Sequence, residues 1–207
     1  MRRNLATAVL MTIATTVMLG LIYPLLVTGI AQVVFPRQAN GQLMRRGGVV
    51  VGSRSIGQPF SSPAYFHSRP SAAGNGYDAG NSGGSNLGPS NQKLVERVKT
   101  DTNTLQAENP GQPIPVDMVT TSGSGLDPDI SPAAAEFQIG RVARERGMSE
   151  DSLRQLVAKH TKGRQFGFLG EPRVNVLELN LELDAVHPSL NAAAAAGGPG
   201  DASRRQR

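Results

Sequence analysis

The chain has 207 residues, a formal net charge of +5, 4% aromatic residues, and neither cysteine nor tryptophan. That excludes structural disulfides, thiolate metal sites and a cysteine nucleophile, and the length suits one folded domain of roughly 150 residues beside non-globular ends rather than a two-domain enzyme. Arg204, Arg205 and Arg207 cluster at the C-terminus while the other cations are scattered among acids, so with few aromatic platforms nucleic acid is not an expected partner.

No charged residue occurs between Arg3 and Arg37, and residues 5–35 are dominated by Leu, Ile, Val, Ala, Met and Thr. A membrane span needs about 20 such residues. The apolar core of a cleaved signal peptide is about 7 to 15 residues, and the one small-residue site, Gly29-Ile30-Ala31, follows a longer run than that. Gly20, Pro24 and Gly29 are tolerated in membrane helices. An uncleaved anchor over residues 1–35, surrounded by membrane lipid, is therefore expected. Arg2 and Arg3 precede it, whereas Arg37, Arg45, Arg46 and Arg54 follow it. Counting these charges argues for a cytoplasmic C-terminal domain, but long domains cross largely regardless of charge.

Residues 36–46 read as a polar connector and 47–52 as a short strand closed by glycine. Residues 57–90 form a long irregular stretch, expected to be an ordered loop anchored by Phe60, Tyr65, Phe66 and Tyr77. Ser90 or Asn91 caps a helix whose stripe is Leu94, Val98 and Leu105 with Val95 beside it, ended by Asn109-Pro110-Gly111. Val116, Met118 and Val119 suggest a second strand, leading into a glycine-rich segment over 120–129.

Ser131 as N-cap, Pro132 in the first turn and Gly147 as C-cap frame the clearest helix. Its expected buried stripe is Ala135, Ile139, Val142 and Ala143, with Gln138 at the edge and Phe137 pointing away. Ser149 caps another helix carrying Leu153, Leu156 and Val157 and closing near His160. In residues 174–183 the alternation of Leu177, Leu179, Leu181 and Leu183 with polar residues favours a half-buried strand, although Val174, Leu177 and Leu181 also fit a helix. From His187 onward the Ala, Gly and Pro repeats read as a disordered tail.

The chemistry is sparse. SGGSNLGPSN (82–91) has the glycine spacing of a phosphate-binding loop, but Pro89 stands where the lysine is required and supplies neither cation nor N–H donor. A polar turn leading into a helix is the better reading. His67, His160 and His187 are far apart, so no metal site is expected. Asp127 and Asp129 flank Pro128 close to a helix start, where carboxylates serve as caps and turn residues. Ser122 and Ser124 lack a nearby His or Lys to make a nucleophile. No catalytic set assembles, and a membrane-anchored binding protein would need an aromatic pocket that no cluster here provides.

Four segments taken in order, GQPFSSPAYFHSRPSA (57–72), SGGSNLGPSN (82–91), VTTSGSGLDPDISPAAAEFQIGRVARERG (119–147) and GFLGEPRVNVLELNLEL (167–183), resemble the KdpC family, a subunit of the bacterial potassium-transporting ATPase. With the N-terminal span in the matching place, the resemblance runs from Arg3 to Asp184. It implies a non-catalytic subunit of an inner-membrane complex in which KdpA carries potassium, KdpB hydrolyses ATP and a small KdpF completes the assembly. It further implies a role in assembly and as a catalytic chaperone that raises the ATP affinity of KdpB, with ATP shared between the two subunits and potassium transported by the complex rather than bound here. A glutamine takes part in nucleotide binding in that proposal, and Gln138 best matches its position.

Two readings follow: a regulatory module that contacts nucleotide with KdpB, or a structural and gating module outside the membrane, over the potassium entrance of KdpA. A surface rich in glycine, serine and asparagine suits docking better than phosphate, which would call for free Lys or Arg. Arg69, Ser82, Gly83, Gly84, Ser85, Asn86 and Asp127 are accordingly the expected assembly residues. The fold class expected is α+β: one N-terminal transmembrane helix, a single mixed α/β extracytoplasmic domain over 36–186, and a tail over 187–207.

Overall fold

The computed structural model describes residues 1–187, and all but the first residue of the expected tail lie outside the described residues. The chain divides into two compact units after Ser53.

In the first unit one helix runs over Arg2–Val34, long and apolar enough to cross a membrane. It comprises α1 (Arg2–Val17), a π turn at Met18–Ile22 and α2 (Tyr23–Val34). At 1.5 Å per residue it is about 50 Å long, well beyond a hydrocarbon core of about 30 Å. Pro24 cannot donate to the carbonyl four residues back, and the irregular turn lies where that bond is missing. Thr7, Thr12 and Thr15 donate to the carbonyls of Arg3, Ala8 and Met11 at 2.8–2.9 Å, so their hydroxyls need no water.

The segment expected as a polar connector is structured. It holds a short helix α3 (Pro36–Ala39) and strand β1 (Leu43–Arg46), which pairs antiparallel with β2 (Val49–Ser53). Gly47 and Gly48, at φ +58° and +83°, are the two-residue turn of this hairpin and not the start of a strand.

The second unit is α+β. A three-stranded antiparallel sheet, ordered β3 (Asp129–Ile130), β5 (Arg173–Asn175), β4 (Thr161–Lys162), sets Ile130 and Thr161 on either side of Val174. Around it pack α5 (Pro132–Arg146), α6 (Glu150–His160) and α7 (Val176–Val186). Ile130, Ile139, Val142, Leu153, Val174, Leu179 and Leu183 form the core together with Phe66. Helix α4 (Gln92–Glu108), capped by the Asn91 side chain, lies at the surface with Leu94, Val98 and Leu105 half-buried and Val95 exposed.

Three expectations are corrected. Residues 176–186 are helix, not strand: Asn175 accepts a hydrogen bond from the Glu178 N–H as N-cap, and the buried face is Val176, Leu177, Leu179, Asn180, Leu183 and Asp184, a helical spacing that includes two polar positions. Val116–Met118 is a 3₁₀ turn, in which the Asp117 carboxylate accepts from the Ser131 N–H and hydroxyl at 2.7 and 3.1 Å. In α5 the expected stripe is buried, but so are Phe137 and Gln138; His67 and Pro63 of loop 62–69 bond Gln138 and Arg141, so the edge that periodicity placed at the margin faces the loop.

Residues 57–90 form an ordered loop. Phe66 is fully buried, Tyr65 packs at a tilt against Phe60 and bonds Asp184, and the Tyr77 hydroxyl donates to the Arg69 carbonyl at 2.6 Å. The same loop lies against the 122–125 turn at Gly125, which has φ +67°; a Cβ there would fall 2.5 Å from the Gly83 carbonyl oxygen and 2.6 Å from the Ala73 nitrogen. Gly125→Ala is therefore expected to separate the two loops and destabilise the domain by about 2 kcal/mol or more. Limited proteolysis of residues 73–86, together with thermal melting, reads this; unchanged cleavage and melting would mean that the two loops do not support each other.

Candidate functional site

Residues 62–67 have no regular structure, yet each of their carbonyls accepts a hydrogen bond from a side chain. Ser62 accepts from His67 Nε2, Pro63 and Tyr65 from Arg141 Nη1, and Ala64 from Arg146 Nε. Phe66 and His67 are held at both backbone groups. The Asn180 amide accepts from the Phe66 N–H at 2.9 Å and donates to its carbonyl at 2.8 Å; the Gln138 amide does the same for His67 at 2.7 and 3.1 Å. Each amide thus pairs with the loop as a neighbouring strand would.

Gln138 sits deep in this arrangement at 2% exposure. Its oxygen accepts a second bond from Arg141 Nη2 at 2.7 Å, and its nitrogen also donates to the Ala134 carbonyl at 3.2 Å. Two acceptor lone pairs and two N–H groups are the full capacity of an amide, and all four are in use. A nucleotide bonded to Gln138 would have to displace one of these partners.

Two arginines complete the anchor. Arg146 joins the Ala64 and His187 carbonyls to Asp184, with its guanidinium 4.6 Å over the Tyr65 ring. Burial lowers the pKa of Arg141, an effect opposed by Glu108 and Glu145. Its Nε lies 3.5 Å from Glu108, a charge contact without hydrogen-bond alignment. Sequence reasoning missed Asn180 and Asp184; their spacing on α7, Asn180 four residues after Val176 and three before Leu183, and Asp184 four after Asn180, is the signal that they share its buried face.

Of the expected assembly residues, Arg69, Ser82, Gly83 and Gly84 meet the glycine-rich segment 120–129, which contains Asp127. Arg69 pairs with Asp127 at 3.0 Å and donates to the Thr120 hydroxyl, while the other Asp127 oxygen accepts from the Asp129 N–H. Ser82 and Gly83 both donate to the Ser124 carbonyl, at 3.0 and 2.8 Å, and Gly84 lies against Gly123. Ser85 is half-buried and Asn86 is exposed at φ +51°.

Beside Arg69 opens a groove of about 460 Å³, whose charged lining is Arg69, Asp117, Asp127, Asp129, Glu171 and Arg173. Four carboxylates face two guanidiniums, and each guanidinium is already bonded to one of them, Arg173 to Asp129 at 3.0 Å. A phosphate entering here would meet an excess of negative charge.

The KdpC family model, described as the K+-transporting ATPase, c chain, matches residues 5–185. A potassium-transporting ATPase KdpC subunit of Koribacter versatilis is 71% identical over 188 residues, covering 91% of this chain and 97% of that protein. Subunits of the same description from Rhodopseudomonas palustris (strain BisB18) and Acidobacterium capsulatum are 54% and 58% identical, each covering 89% of this chain and 99% of the relative.

Gln138→Ala removes all of the amide's bonds and leaves the half-buried His67 N–H without its acceptor. The expected cost is about 2–3 kcal/mol, seen as a drop of roughly 5–10 °C in the melting temperature of the purified chain; an unchanged value would mean that water replaces the amide freely.

His67 supplies a pH dependence. Burial, reinforced by the Arg141 cation, lowers its pKa from the ordinary 6.5, so the imidazole is neutral in the fold and donates through Nε2. Stability is full above that ordinary value and is lost as pH falls through the lower folded one, because the unfolded chain takes up the proton first. The melting temperature should therefore fall on acidification below about pH 6.5, and less steeply in His67→Gln; the same slope in both proteins would place the titration elsewhere.

Proposed function

The chain belongs to the KdpC family and is the KdpC-type subunit of a K+-transporting ATPase, and from that premise we propose that it is a non-catalytic docking subunit which holds the complex together without touching nucleotide through Gln138. The observation that carries this is the state of the Gln138 amide, buried and bonded at every position. The carboxylate excess of the groove beside Arg69 supports the same reading, as does the missing lysine at Pro89.

On this reading KdpA conducts potassium, KdpB binds and hydrolyses ATP, and KdpF completes the assembly, as the resemblance implies. The N-terminal helix crosses the inner membrane once and the folded domain lies on its outer face, near the potassium entrance of KdpA. Loops 69–86 and 120–129, locked to each other by Arg69–Asp127 and by the Ser124 carbonyl, supply a preformed surface that loses little freedom on docking. Any effect of this subunit on the ATP affinity of KdpB is then a coupling free energy carried through the membrane-spanning parts, as in any linkage between distant sites. That is how the catalytic-chaperone role fits an external domain.

Because the chain has no cysteine, one introduced thiol reports topology without background. Asn103 is exposed on α4, so Asn103→Cys, expressed with the other subunits, should react with a membrane-impermeant maleimide in intact cells whose outer envelope is permeable. Protection in cells with labelling only in inverted vesicles would place the domain beside ATP and restore direct nucleotide contact.

A further inference from the structure

Two of the three most exposed large apolar side chains of the folded domain, and its only exposed phenylalanines among the described residues, lie together on one small hairpin. Gln165 and Leu169 exchange both backbone hydrogen bonds, at 2.8 and 2.9 Å, around the turn Phe166-Gly167-Phe168. Phe166 is 88% exposed, Phe168 70% and Leu169 47%. Phe166 is itself in the left-handed region at φ +53°, which a bulky side chain disfavours. A hydrogen-bonded turn that holds two rings in water, one of them on an unfavourable backbone, has no account within the domain core.

We propose that this tip is an aromatic anchor that inserts into an apolar socket on another subunit of the same ATPase; the assignment rests on the family membership and docking role given above. The surroundings of the hairpin choose this occupant. Lys162 pairs with Glu178 at 2.7 Å, Arg164 with Glu171 at 2.6 Å and Arg173 with Asp129 at 3.0 Å. The cations flanking the rings are therefore spent on the chain's own carboxylates. Peripheral binding to an anionic lipid surface combines apolar insertion with unpaired cations, whereas an apolar centre inside a polar, charge-balanced rim is the anatomy of a protein interface. Two Phe rings at roughly 150–250 Å² each fall short of the about 800 Å² per partner of a standard interface. The tip is thus one anchor in a wider contact, of the kind that carries a large share of binding energy.

The test uses the full chain, tagged and expressed in membranes with the other subunits of its ATPase. With p-benzoylphenylalanine in place of Phe168, irradiation should yield one adduct, with another subunit. The double variant Phe166→Ser/Phe168→Ser should lower recovery of the other subunits at least about tenfold, while membrane insertion and melting of the chain itself stay as they were, because the rings pack against no core. Phe168→Leu should recover most of the complex. Adducts confined to lipid or to a second copy of this chain overturn the proposal. So does an assembled complex without an adduct, or wild-type recovery from the double variant. If the wild-type chain recovers no other ATPase subunit, the docking role and the anchor fall together; if it recovers them without an adduct, the anchor alone falls.

Discussion

An irregular segment laid into a protein core must have its backbone polar groups paired, and here that requirement falls on residues 62–67. Phe66 is fully buried, so the chain on either side is drawn against the core, half-buried at Ala64, Tyr65 and His67 and without a neighbouring strand. A net hydrogen bond is worth only about 1 kcal/mol, but an unmet buried group costs about 1–3 kcal/mol. Gln138, Arg141 and Arg146 on α5 and Asn180 on α7 meet the demand by supplying the donors and acceptors a strand would have offered. The burial of Gln138, the lowered His67 pKa and the polar positions on the buried face of α7 all belong to this arrangement.

The same demand accounts for where the charge goes. The formal net charge of +5 suggests a basic protein, yet in the folded domain Arg54, Arg69, Arg146, Lys162 and Arg173 each face a carboxylate within 3.0 Å. The buried Arg146–Asp184 pair carries most weight, since removing either partner would strand the other's charge; the exposed pairs contribute little to stability. What the pairs together do is neutralise these five cations, and a body whose loops are already ordered is suited to a fixed place in a larger assembly.

The legibility of the elements follows the range of the interactions that make them. Helices α4, α5 and α6 could be read because Asn91, Ser131 and Ser149 cap them within three residues, and Gly147 closes α5. Helix α7 carried a comparable signal in Asn175 and Glu178, but the leucines at 177, 179, 181 and 183 have a period of two, and Asn180 and Asp184 do not look like core residues until a loop more than 110 residues away in sequence is seen to need them. The β-branched run at 116–119 misled for a related reason: the Asp117 carboxylate is captured by Ser131, fourteen residues on.

Composition and order of residues by themselves determined the long apolar N-terminal helix, the capped helices, the lack of thiols and the proline that stands where a phosphate-binding loop has its lysine, since each depends on residue type or on neighbours within a few positions. The ordered motifs identified the family for the same reason. Only the tertiary structure decided that Gln138 is saturated, that Asn180 mirrors it on another helix, that Arg69 and Asp127 lock two loops, and that Phe166 and Phe168 are left in water. Those facts depend on which distant backbone groups lack partners once the core closes, and local periodicity carries no record of that.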